Sequence, residues 1–345
     1  PVQIAGNIGD KEHRGGLKGL NLTNAEKGIE KGLVKIEQGL KTGSYTIEDF
    51  LEHSPEPFFI GLTGNRQEIG RILRILKIPA DKRSSEVSKE ELKLLNSFLV
   101  IRLLRQRCAP ELIEEFLSDK YVIINPAYPT DNLDELQSVA DACGRMKMPE
   151  TGIEIMLGSR EAFKEGKVAL NNFYSRILSE IIKLTEGIRL PEKDALQLTP
   201  DVINEDRLKN LKDLNNIENS TLQEDKLYHL SRISFFITAE HVITGGVAGI
   251  ISSYVNGLYL EGSIRPVFGL AFVDTNCKIS SRTTKVAVSK GIHLGQICRE
   301  AALLCGGQGG GHPVAAGATI PAEKTSEFLI HANRMAQECL RKKEV

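Results

Sequence analysis

The sequence predicts an α/β protein built from two domains, and three features lead there. At 345 residues the chain exceeds the size at which one hydrophobic core keeps growing. Strand and helix signals alternate through 227–345. By contrast, 44–120 shows helical periodicity and almost no strand pattern, which reads as a helical insertion in or beside an α/β core.

From the first residue, Val2 to Ile8 is expected to be a strand ending at Gly9-Asp10. That would place Asp10 at a strand's carboxyl end, where open α/β sheets gather their ligands. A chain starting at Pro1 inside a strand is expected to be a piece of something longer. Thr23-x-x-Glu26 has the form of a capping box, and Ile29, Leu33, Ile36 and Leu40 follow at helical spacing. Three further helices are expected before 120. Ile69, Ile72, Leu73 and Leu76 mark one, Ser88-x-x-Glu91 with Leu92, Leu95, Leu99 and Leu103 marks another, and Pro110 suits the first turn of a third. This block serves equally well as a docking surface or as a cap that completes the core.

Ser159 begins a helical pattern that runs to about Gly187, roughly 40 Å at 1.5 Å per residue and long enough to bridge two domains. Residues 191–226 are rich in Asp, Glu, Lys and Asn, and read as a polar linker. The domains expected are therefore 1–158, a bridging helix over 159–190, the linker, and 227–345. In the last of these, strands are expected at Ile233–Thr238, Val267–Val273 and Lys278–Thr284. Helices are expected at Val242–Leu258 and Ile292–Cys305, followed by a glycine loop, a short strand to Ile320 and a final helix from Pro321. Gly245, Gly246 and Gly249 fall on the packing side of the first of those helices.

Net charge of −1 excludes the global basicity of a generic DNA binder, so any polyanion site has to be local. No apolar stretch reaches the roughly 18 residues a spanning helix needs, and no secretory leader is seen. The six cysteines show no C-x-x-C spacing, which argues against a zinc site or disulfide framework and for a reducing, cytoplasmic setting.

Chemistry concentrates in two short stretches. Gly309-Gly310-Gly311-His312 offers backbone amides that larger side chains would screen, plus a switchable imidazole, and so suits a phosphate; a plain connection is its bland alternative. Ser280, Arg282 and Thr283 offer hydroxyls around a guanidinium that can grip a phosphate, the alternative being a solvated strand edge. Arg145, after Gly144, is a further cation. Asp10 alone cannot hold a divalent ion, and phosphoester hydrolysis commonly uses two ions.

Together, Ala-Gly-Asn-Ile-Gly-Asp at 5–10, Asp-Ala-Cys-Gly-Arg-Met at 141–146, Ser-Ser-Arg-Thr at 280–283 and Gly-Gly-Gly-His-Pro-Val-Ala-Ala-Gly-Ala at 309–318 resemble the DHH phosphoesterases. Within them the chain looks most like the archaeal RecJ-like single-strand exonucleases, including the GINS-associated nuclease. The resemblance implies the carboxyl-terminal remainder of a DHH domain with its helical insertion, a bridging helix and a DHH-associated domain. It implies a Mn²⁺ or Mg²⁺ two-metal site with Asp10 as a ligand, and nucleic-acid contacts from Arg145, Ser280, Arg282 and His312. Single-stranded nucleic acid is the implied partner, with a GINS-type protein docking on the insertion. Two departures stand out: Asp141 replaces the family's usual Asn, and neither an Asp-x-Asp nor an Asp-His-His motif occurs. The chain alone is therefore expected to be inactive, the complete protein being an exonuclease of replication or repair. The alternative is a non-catalytic replication scaffold that binds single-stranded DNA.

Overall fold

The structure, a computed structural model, describes residues 1–9, 17–37, 40, 42, 45–118, 120–190, 197–204, 208 and 226–341. Two compact units make it up. The first comprises Pro1–Leu104 and Pro110–Arg176, the second Arg105–Ala109 and Ile177–Val345.

In unit 1, helices α1 (Val2–Gly9) and α2 (Gly19–Glu30) precede strand β1 (Val34–Glu37). Helices α3 (Ile47–His53), α4 (Arg66–Leu76), α5 (Lys89–Arg105) and α6 (Pro110–Leu117) follow, then strand β2 (Lys120–Ile123) and helices α7 (Leu133–Arg145) and α8 (Pro149–Met156). β1 and β2 pair antiparallel, Val34 opposite Ile123. The core gathers Ile4, Ala5, Ile8, Val34, Leu136 and Val139. Helix α9 (Arg160–Leu184) runs through the point where unit 1 ends and unit 2 begins.

In unit 1, two elements differ from the sequence reading. Residues 2–9 are a helix, not a strand: the buried apolar positions are Ile4, Ala5 and Ile8, a helical i, i+1, i+4 set, while Val2, which a period of two would bury with Ile4, is exposed. The Ala5 amide donates to the Pro1 carbonyl at 3.0 Å, closing the first turn. Thr23 does not cap a helix either. It sits inside α2 and donates to the Gly19 carbonyl at 3.3 Å. The helix stops at Glu30 because Gly32 takes a left-handed conformation (φ 65°), and Ile36 then lies on β1 opposite Tyr121.

The helix signals at Ser88 and Pro110 are realised. Ser88 and Glu91 form the reciprocal capping box, Ser88 N to Glu91 Oε2 at 2.8 Å and Glu91 N to Ser88 Oγ at 3.2 Å. Leu95, Leu99 and Leu103 are buried along α5, and Pro110 opens α6.

Unit 2 is a six-stranded sheet in the order β3-β4-β5-β6-β8-β7, mixed through one parallel pair, β4 with β5. Its strands are β3 (Tyr228–His229), β4 (Ser234–Ile237), β5 (Val267–Val273), β6 (Asn276–Arg282), β7 (Gln308–Gly311) and β8 (Ala315–Pro321). The helices are α10 (His241–Ile250, continued by a π turn and a 3₁₀ turn to Leu258), α11 (Lys285–Ser289), α12 (Leu294–Leu304) and α13 (Thr325–Arg341). Phe268, Leu270, Ile279, Ile297, Ala301 and Phe328 build the main core on one face of the sheet. The segment read as linker contributes to this unit where it is described. Leu198 bonds to Leu258 and Leu260 through the backbone, and Ile203 and Leu208 enter the core. No helix among the described residues is long and apolar enough to cross a membrane.

Candidate functional site

The glycine run is not a loop between a helix and a strand. Gln308–Gly311 is itself the edge strand of the sheet, and Pro313 and Val314 form a two-residue turn into β8. His312 and Ala315 close the hairpin, His312 N to Ala315 O at 2.8 Å and Ala315 N to His312 O at 3.3 Å. Antiparallel pairs alternate between bonded and non-bonded, so Gly310 bonds to Gly317 while the amides of Gly309 and Gly311 point away from β8, along the open edge. The expected concave nest of three amides is thus a row of alternate edge amides.

Two of the glycines are demanded by packing. A Cβ on Gly309 would lie 2.4 Å from the Cys298 carbonyl oxygen, and one on Gly311 2.7 Å from the Ala315 carbonyl oxygen, so α12 and the strand lie backbone against backbone. Helix α12 is capped by its neighbours: Leu294 N donates to Pro313 O, Gly295 N to His312 O, and Gln296 N to His293 Nδ1. Gly309→Ala is expected to lower stability by about 1–3 kcal/mol, the cost of overpacking a close contact. Urea unfolding of the chain checks this, and an unchanged midpoint would mean that α12 and β7 do not touch as described.

β6 carries the other expected set. Its odd residues are buried; Ser281 donates to Ala316 O at 3.1 Å and sits 3.3 Å from Cys298 Sγ. Its even residues, Lys278, Ser280 and Arg282, face the opposite side. Registered partners in a sheet share a face, so Arg282, Ala315 and His312 lie in one row and Ser280, Gly317 and Gly310 in the next. This side of β6, β8 and β7 has a floor of glycine and alanine.

The Arg282 guanidinium runs over α10. Its Nη1 donates to Ser281 O at 2.8 Å, and a Cβ on Gly245 would come within 3.0 Å of its Nη2 and 3.7 Å of Ser280 Oγ. Gly245 therefore makes the room for Arg282. Gly246 serves packing alone, against Ile177. Thr283 extends beyond β6, its amide donating to Val314 O at 3.0 Å, and its buried Oγ1 has no hydrogen-bond partner among the described residues.

The remaining expected residues lie elsewhere. Arg145 is in unit 1, at the end of α7, where Nε meets Asp141 Oδ2 at 2.7 Å and the guanidinium stands 5.6 Å from the Phe173 ring centroid. The Asp141 that departs from the family pattern thus partners Arg145. Asp10 lies outside the described residues.

Among the described residues, Asp49, Glu52 and His53 on α3 are the one group of three His, Cys or carboxylate ligands within 4.8 Å of one another, and Glu52 is already held by Arg66 at 3.1 Å. Such a group on one surface helix is not a two-ion phosphoesterase site, and no hydrolytic step is derived from it.

Comparison with family models covers part of unit 2. Residues 232–338 match the DHHA1 domain model. The DHHA1 match thus spans β4 to α13 and contains the Ser280–Arg282 row and the hairpin at His312. Over 346 aligned positions the chain is 26% identical to an uncharacterised protein of Methanocaldococcus jannaschii, MJ0831, covering 99% of this chain and 64% of that one. The chain therefore spans about two thirds of the length of its curated relative. Among solved structures, CDC45 from Entamoeba histolytica superposes with a TM-score of 0.55 at 11% identity, covering 96% of this chain and 67% of that one. RecJ from Thermus thermophilus, solved with Mg²⁺, matches 59% of this chain and 25% of its own at a TM-score of 0.34 and 19% identity. The fold is mixed α/β, and its carboxyl-terminal part matches the DHHA1 domain.

Lys278, Gln308 and Thr319 share the glycine-floored face. Their signal was register, visible only once β6, β8 and β7 are paired.

Proposed function

We propose that the DHHA1 domain holds the sugar-phosphate chain of single-stranded nucleic acid on the face of β6, β8 and β7 opposite α12, beside α10. In this reading the complete protein is a metal-dependent, RecJ-like exonuclease of DNA replication or repair. The observation that carries it is the row of Arg282 and His312 beside Ser280, set around a floor without bulky side chains. A guanidinium, an imidazole and hydroxyls suit phosphate oxygens, and a glycine floor lets the backbone of a ligand approach. Arg145, in unit 1, is a further candidate cation on the strength of its motif alone. Asp10, outside the described residues, would contribute one ligand to a Mn²⁺ or Mg²⁺ site, and the metal would supply Lewis-acid activation for phosphodiester hydrolysis. For a GINS-type partner the helical block offers α5, whose Leu94, Ile101 and Leu104 lie exposed at helical spacing.

The test is release of nucleotides from end-labelled single strands, DNA and RNA in parallel, by the full-length protein with Mn²⁺. Release is expected with the full-length protein and not with residues 1–345 alone. Binding without release at any metal concentration would make the protein a non-catalytic scaffold.

A further inference from the structure

The face that carries Arg282 and His312 continues. Two residues back along β6 is Ser280, and two further is Lys278, whose registered partners are Thr319 on β8 and Gln308 on β7. These three side chains form a row across the same face, parallel to the Arg282, Ala315 and His312 row. Four residues of strand separate the rows, about 14 Å at 3.4 Å per residue. Between them lie only Ser280, Gly317 and Gly310, and a Cβ on Gly310 would meet nothing within 4 Å. Among the described residues the side chains of Lys278, Thr319 and Gln308 make no hydrogen bond or ion pair with the protein, and those of Thr319 and Gln308 are exposed. No Phe or Tyr points from this face of β6, β8 or β7, so it lacks the aromatic platform on which bases stack.

We infer that Lys278, Thr319 and Gln308 form a second phosphate subsite, which takes a sugar-phosphate chain leaving the Arg282 and His312 row across the glycine floor. The inference rests on the proposed function of that row. At roughly 3.4 Å per stacked nucleotide, and more when extended, the two rows are about two to four nucleotides apart. Lys278 supplies a point charge and Thr319 and Gln308 supply neutral donors, a set that reads phosphate and sugar, not base identity.

The test uses the 345-residue protein and labelled oligothymidylates of two, four and eight nucleotides, with binding read by fluorescence anisotropy. Wild-type affinity is expected to rise between two and four nucleotides. Lys278→Ala should lose three- to tenfold on the four- and eight-mers, leave the two-mer unchanged, and leave the melting temperature within a degree or so. A tetramer with abasic sugars at every position should bind within about threefold of the thymidylate. Lys290→Ala, which removes an equal charge from the end of α11, should change none of these. Unchanged affinities in Lys278→Ala, or equal losses at every length matched by Lys290→Ala, would overturn the subsite. Failure of the anchor row reads differently: His312→Ala would bind all three lengths as wild type does, whether or not Lys278→Ala retained its length-dependent loss. No binding of any length by the wild type would overturn both.

Discussion

Replacing Arg282 or His312 by alanine is expected to weaken single-strand binding by ten- to hundredfold while leaving the fold intact. A hydrogen bond with an ionised partner contributes about 1.5–3 kcal/mol, which is that range in affinity. Each variant should also flatten the dependence of affinity on salt, because one phosphate contact fewer releases fewer counterions. The structural cost should be small for His312, which is exposed at the hairpin and contributes backbone bonds that alanine keeps. Arg282 is more enclosed by α10, and the comparison there is with Arg282→Lys. Lysine keeps the charge but loses the planar fork, so it should recover fold stability without recovering full affinity. Anisotropy titrations at several salt concentrations, paired with thermal melts, separate these outcomes. A variant that melts early yet binds normally once folded would make the position structural.

The second large effect is a loss of stability in acid that originates at one buried histidine. His229, on β3, is buried, bonded through Nδ1 to Ser234 Oγ at 2.8 Å, and tilted against the Tyr259 ring at 4.6 Å between centroids. Burial, reinforced by the nearby Arg265 guanidinium, pushes its pKa down from the usual 6.5 to about 4. Above pH 6.5 both folded and unfolded chains hold the ring neutral, so its stabilising contacts are fully present. As pH falls from 6.5 towards 4 the unfolded chain takes up a proton that the folded protein refuses, and stability declines by roughly 3 kcal/mol across that window. Urea unfolding at pH 7, 6 and 5 should show the decline, and His229→Asn should remove most of its slope. An identical slope in the variant would place the acid sensitivity in other groups. Arg265 is itself buried and donates to the Leu230 carbonyl, so the loop after α10 and the β3–β4 turn are tied together beside this histidine.

How much of this was legible in the sequence follows from which residues carry a side-chain signal. Caps and heptad-like leucines announce themselves: Ser88 with Glu91 and the buried Leu95, Leu99 and Leu103 could be read directly, as could the alternation of strands and helices around β5, β6 and α12. The helix at Val2–Gly9 was misread because eight residues with apolar positions at 2, 4, 5 and 8 fit either period, and burial of Ala5 in place of Val2 decided it. β7 was invisible as a strand because glycines at 309, 310 and 311 leave no side chains to alternate. Its role in packing on Cys298 is a backbone contact that no pattern of residue types encodes.

Within the candidate site, the two stretches at 280–283 and 309–312 were found from residue chemistry, and the structure aligns them through Ala315 and Gly317. Arg145 falls in the other unit with Asp141, and Asp10 falls outside the described residues. Lys278, Thr319 and Gln308 belong to ordinary residue types at unremarkable spacing, and only pairing across three strands brings them into a row.

The central claim is that one face of the unit 2 sheet holds a sugar-phosphate chain, and mapping a short oligothymidylate onto the amides of the protein by NMR titration tests it most directly. Perturbations are predicted at Lys278, Ser280, Arg282, Gly310, His312 and Gly317, with the buried face toward α12 and α13 silent. Perturbations confined to unit 1, or to α12 and α13, with none on β6, β8 or β7, would contradict it.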